Sequence, residues 1–109
     1  MYSVSRSLQS FQSEIAHVRR IVAQADWDQR PTFCYRLRAS LREALASVEC
    51  SADIDQRARA VMRAAEHFSN SLRPNFTPAT LDLMARIDEL AMAGLSAIEA
   101  QAAGHAKAA

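Results

Sequence analysis

The amino-acid sequence predicts an all-α fold: a small antiparallel bundle of about four helices, equivalent to two helical hairpins. Only two glycines and three prolines occur in 109 residues, below the ~7% and ~5% of an average chain, so turns are few and helices are long. Alanine, which has the highest helix propensity, is abundant throughout. Apolar residues also recur at alternating spacings of three and four, which places them on one face of a helix.

The first helix is predicted from an a/d heptad seam that ends near Ala25. The seam consists of Val4, Leu8, Phe11, Ile15, Val18, Val22 and Ala25. A seam of this kind indicates a helix with one face against the core. After it, Asp28 suits the N-cap of a second helix, and Pro31 suits the first turn, where a missing N–H costs no hydrogen bond.

The second and third helices are predicted from two further apolar faces. The second helix carries Phe33, Cys34, Leu37, Leu41, Ala44, Leu45 and Val48. The third carries Ile54, Ala58, Val61, Ala65, Phe68 and Leu72. Asp53, followed three residues later by Gln56, resembles a capping box and predicts where the third helix begins. Pro74 disfavours the α conformation at Arg73 and predicts where it ends.

The fourth helix is predicted to begin at the Thr77-Pro78 pair, an N-cap followed by a first-turn proline. Its apolar arc consists of Leu83, Met84, Ile87, Leu90, Ala91, Gly94, Leu95 and Ile98, widened by Leu81 and Met92 to roughly 200°. Residues 1–103 are expected to form a single helical domain, and 104–109 a frayed C-terminal tail.

This arc is wider than one core-facing stripe requires, so we predict an interface on the fourth helix with a protein partner, a second copy of the chain, or both. The predicted interface residues are Leu83, Ile87, Leu90, Ala91, Gly94 and Ile98. The alternative is that the helix lies centrally within its own bundle. Asp88 interrupts the arc and should pair with an arginine or lie at an interface edge, because an unpaired buried carboxylate is costly.

Two pairs of arginines at i, i+4 spacing, Arg38 with Arg42 and Arg59 with Arg63, predict a basic patch if the second and third helices are neighbours. The patch would suit an acidic partner or phosphate. The alternative is local pairing of these arginines with nearby acidic residues. A net charge of +1 and a pI near 7.9 provide no strong long-range attraction, so nucleic-acid binding is the second hypothesis.

No catalytic residue, cofactor site or metal site is predicted. Backbone approach to phosphate needs paired glycines, which the chain lacks. Its histidines and cysteines show none of the close spacings of a zinc site. We therefore expect a non-enzymatic interaction or regulatory protein: an inhibitor, an antiactivator, an immunity-type protein or a chaperone-like adaptor. With no signal peptide or membrane-spanning run, a cytoplasmic location with unpaired cysteines is expected.

Overall fold

The computed structural model describes residues 2–25, 30–49, 51–70 and 78–108, and it confirms the predicted all-α bundle. Four helices follow one another: α1 (Tyr2–Ala23), α2 (Arg30–Leu45), α3 (Ala52–Asn70) and α4 (Pro78–Ala108). The molecule is elongated, with principal extents of 52 × 22 × 20 Å, because the helices lie side by side along one direction.

The helices form a ring in which α1 packs against α2, α2 against α3, α3 against α4, and α4 closes against α1. Neighbours run antiparallel. Phe33 near the start of α2 lies against Phe68 near the end of α3, with ring centroids 5.1 Å apart. Just before the start of α3, the backbone N–H of Glu49 donates a hydrogen bond to Oε1 of Gln101, late in α4, at 3.3 Å. The result is an up-down-up-down four-helix bundle.

The core runs along the axis of this ring and matches the predicted seams. Every seam residue of the first three helices whose side chain is described is buried or half-buried. The largest fully buried side chains come from all four helices: Phe11, Val18, Phe33, Leu37, Val61, Leu83, Ile87 and Leu90. Removing one such side chain from water contributes about 1.5–3 kcal/mol, which makes these seams the main source of stability.

The start of α3 differs from the predicted capping box. Helix α3 begins at Ala52, and the hydroxyl of Ser51 accepts a hydrogen bond from the backbone N–H of Ile54 at 3.2 Å. Ser51 is therefore the N-cap, because its oxygen satisfies one of the free N–H groups of the first turn. Asp53 lies inside the helix and pairs instead with Arg57. The predicted caps and helix end at residues 28, 73 and 77 lie outside the described residues.

Helix α4 also extends beyond the predicted end of the domain at residue 103, since it continues to Ala108. The segment after 98 is rich in alanine, and its helix propensity outweighs the single glycine at 104. Within the described ranges, no helix is both long enough and apolar enough to cross a membrane.

Candidate functional site

The four arginines of the predicted basic patch come together in the structure. Helices α2 and α3 pack side by side, and the groove between them is lined by Arg38, Arg42, Arg59 and Arg63. We call this the basic groove; its cavity measures about 390 Å³. The prediction depended on α2 and α3 being neighbours, and the ring arrangement makes them so.

The floor of the basic groove is apolar. It consists of Leu41, Leu45, Ala58 and Met62. Leu41 is buried, whereas the other three are half-buried and so keep part of their apolar surface accessible. Leu41, Leu45 and Ala58 were predicted to face the core, whereas Met62 was not predicted, although its position between Arg59 and Arg63 was the available signal.

Helix geometry explains this combination of floor and rim. In α2, Arg38 and Arg42 each directly follow a buried leucine, so they lie about 100° around the helix from the core. That angle places an arginine at the edge of the buried face. All four arginines are exposed, and long guanidinium side chains can cover apolar surface with their stems while the charged ends remain in water.

The positive charge of the basic groove is only partly compensated. Nε of Arg59 pairs with Oδ2 of Asp55 at 3.1 Å. Within the described side chains, Arg38, Arg42 and Arg63 have no carboxylate within ion-pair distance. The predicted alternative of local pairing therefore applies to one of the four arginines.

Cys34 lies close enough to Arg38 and Glu66, two residues that line the basic groove, for the charges of both to act on its thiol. Burial raises the pKa of the Cys34 thiol, and the charge of Glu66 raises it further; a hydrogen bond with Ser69 and the charge of Arg38 lower the pKa, but less. The thiol is free and held in its protonated form. It is therefore a weak nucleophile, because the thiolate is the reactive species.

Tyr35 and Arg36, which adjoin these arginines in sequence, belong to another surface. They line a cavity of about 340 Å³ between α1 and α2, together with Glu14 and Glu43. Two acidic residues at this site offset the arginine. The basic groove thus consists of the two predicted pairs without the neighbouring aromatic residue.

The predicted interface residues of α4 lie inside the chain's own core. Leu83, Ile87, Leu90, Ala91, Gly94 and Ile98 are all buried. Two neighbours, α1 and α3, cover the arc, which is why it is wider than a single contact needs. The burial of these six residues leaves little of their surface for another chain, although Ala91 also lines a cavity between α1 and α4.

The small residue at 94 does permit close helix approach, but the approaching helix is α1 of the same chain. A Cβ atom added to Gly94 would lie 2.2 Å from Cζ of Phe11. The aromatic ring therefore occupies the space that a side chain on α4 would need. The absence of a side chain at Gly94 leaves the space in the core that the Phe11 ring fills.

The outer side of α4 retains exposed apolar residues at the edges of the predicted arc. Leu81 is 59% exposed and Met92 is 70% exposed. Asp88 meets an arginine as expected: Nη2 of Arg19 lies 2.8 Å from Oδ1 of Asp88, and both side chains are about half-exposed.

No group of three or more His, Cys, Asp or Glu side chains in the described part of the chain is arranged to hold a metal ion. Comparison with known protein families finds no match, and neither does comparison with curated proteins or with solved structures.

Proposed function

We propose that the protein is a non-enzymatic interaction protein that binds an acidic amphipathic helix of a protein partner in the basic groove. The observation that carries this proposal is the assembly of four arginines, from two separate helices, around one apolar floor. Covering a partner's helix in this way is how a small inhibitor, antiactivator, immunity-type protein or chaperone-like adaptor would act. A cytoplasmic setting is part of this proposal, since thiols such as that of Cys34 stay reduced there.

The charge of the groove favours an acidic partner. Glu66 is the only acidic residue among those that line it, and three of the four arginines have no carboxylate partner in the described structure. A partner with carboxylates on its flanks supplies the missing counter-charges. A basic partner is repelled, so the same arginines provide selectivity.

The spacing of the arginines favours a helix lying along the groove. Arg38 and Arg42 are one helical turn apart, as are Arg59 and Arg63, so each pair spans about 6 Å along its helix. Acidic residues at i, i+4 positions of a partner helix have the same repeat. The partner's apolar face would then lie on the groove floor, the usual arrangement of helix-in-groove recognition.

Nucleic-acid binding, the second hypothesis, uses the arginines but not the floor. A phosphate backbone gains from positive charge and nothing from apolar side chains. Bases of a single strand stack on aromatic rings, and none lines this groove. The half-buried floor residues therefore favour a protein partner.

The test is a binding titration with a fluorescein-labelled amphipathic peptide that has leucines on one face and glutamates at i, i+4 along both flanks. Replacing Arg42 and Arg63 by alanine should weaken binding about tenfold, since each lost charge pair contributes on the order of 0.2–1 kcal/mol. The matched control replaces Arg20 and Arg57, which lie outside the groove. It changes the net charge equally and should leave the affinity within about twofold.

A floor variant separates the two hypotheses. Met62→Gln should weaken peptide binding about fivefold, because it replaces an apolar contact by a polar one, and should leave the affinity for a duplex oligonucleotide unchanged. Peptide binding that is equally strong with lysines in place of the glutamates contradicts the proposal. A duplex that binds more tightly than the peptide at the same salt concentration, with no effect of Met62→Gln, supports nucleic-acid binding instead.

A further inference from the structure

A second groove runs between α1 and α4, on the opposite side of the ring from the basic groove. We call it the balanced groove; its cavity measures about 520 Å³. Its floor includes Phe11, Ile15 and Leu95, and its rim includes Arg19, Asp88 and Met92. Phe11 and Ile15 are almost fully buried, Leu95 is half-buried, and Met92 projects into solvent. The exposed, flexible Met92 side chain thus stands beside Leu95, the half-buried apolar residue of the floor.

The rim carries one cation and one anion, Arg19 and Asp88, which form an ion pair within the chain. In a dimer with two-fold symmetry, the same surface patch of each copy forms the interface. Every contact between a residue of one copy and a residue of the other therefore occurs twice, with the roles of the two copies exchanged. A patch with one charge of each sign is complementary to itself under this operation. Four like charges, as in the basic groove, would be brought opposite one another and would repel.

We propose that the balanced groove is the interface of a two-fold symmetric homodimer of this chain. Met92 of each copy packs against the groove floor of the other, where an adaptable methionine side chain fits an irregular apolar surface. Arg19 then pairs with Asp88 of the partner subunit, and Asp88 with the partner subunit's Arg19. This surface is separate from the basic groove, which remains open on the far side of each copy.

Sedimentation equilibrium of the full chain tests the dimer with two charge-reversal variants. Arg19→Asp leaves two acids on the rim and Asp88→Arg leaves two arginines, so each variant should dimerise at least about tenfold more weakly than the wild type. An equimolar mixture of the two variants should recover dimers with one copy of each, because opposite charges then meet across the interface. The ion pair within the chain is lost in both variants, so this recovery reports the contact between chains alone.

A second pair of variants tests the apolar contact. Met92→Glu should prevent dimerisation, whereas Leu81→Glu, also exposed on α4 but outside the groove, should leave it unchanged. A wild-type chain that stays monomeric up to its solubility limit overturns the proposal. So does a dimer that both charge-reversal variants still form with wild-type affinity, or a mixture that stays monomeric. Peptide binding by the basic groove should persist in the monomeric variants, which keeps this test independent of the proposed function.

Discussion

The basic groove and the balanced groove lie on opposite sides of one bundle, and both join an apolar floor to a charged rim. They differ in the sign of the rim charges. Four arginines line the basic groove, whereas Arg19 and Asp88 neutralise each other beside the balanced groove. This difference in rim charge is the basis on which we propose an acidic partner for one groove and a second copy of the chain for the other.

The floors differ as well, and their truncation should have the largest effect. Phe11→Ala is expected to lower the free energy of unfolding by about 3–5 kcal/mol, because the ring is almost fully buried and its loss leaves a cavity. Met62→Ala in the basic groove should cost only about 1 kcal/mol, since Met62 is half-buried. Urea denaturation of both variants measures the difference. Equal costs would mean that the two floors are equally part of the core, contrary to their burial.

Gly94→Ala tests the close packing behind the balanced groove and should have the next largest effect. Overpacking against the Phe11 ring costs about 1–3 kcal/mol, and the gain in helix propensity returns at most about 1 kcal/mol. We therefore expect a net loss of about 1 kcal/mol and a lower Tm in thermal unfolding.

Two comparisons make this result specific. Ser96→Ala, at an exposed position of the same helix, should not destabilise the protein, because it changes helix propensity without a clash. Phe11→Leu should lower the free energy of unfolding less in the Gly94→Ala background than in the wild type, since the smaller side chain relieves the contact. Additive losses of stability would argue against close packing of Phe11 on Gly94.

The smallest expected effect concerns Cys34, whose thiol is influenced by Glu66 and Arg38 of the basic groove. Its pKa is raised in the folded state, mainly by burial and then by Glu66, so the folded chain holds the thiol proton more tightly than the unfolded chain. The stabilisation is present below the unfolded thiol's pKa of about 8.5 and is lost as pH rises through the folded value. Unfolding free energies measured between neutral and alkaline pH should therefore fall more steeply for the wild type than for Cys34→Ala. Glu66→Gln should give an intermediate slope, and identical slopes in all three proteins would contradict the assignment.

The sequence was sufficient to predict the fold because the seams of the first and third helices follow a strict heptad pattern, in which the spacing alone defines the buried face. It was also sufficient to predict the arginine pairs, since i, i+4 spacing fixes two side chains on the same side of a helix. The groove between the pairs was predicted only on the condition that the second and third helices are neighbours, and the structure places α2 against α3.

The fourth helix shows where prediction from the sequence ends. A wide apolar arc indicates that several surfaces cover a helix, but a single sequence does not distinguish coverage by two helices of the same chain from coverage by another chain. Here α1 and α3 provide the cover, so Ile87 and Leu90 lie in the core and Met92 remains outside. The balanced groove could not be predicted because it combines residues of α1 and α4 that are distant in sequence.

The contact between Phe11 and Gly94 also has a consequence for sequence divergence. A glycine inside a helix costs about 0.5–1 kcal/mol relative to alanine, so substitution at 94 would be favoured if Phe11 did not fill the space. The two positions should therefore covary. In diverged sequences with this fold, we expect a side chain at 94 to accompany a smaller residue at 11, and the statistical coupling between these columns to exceed that between either column and the exposed positions of α4.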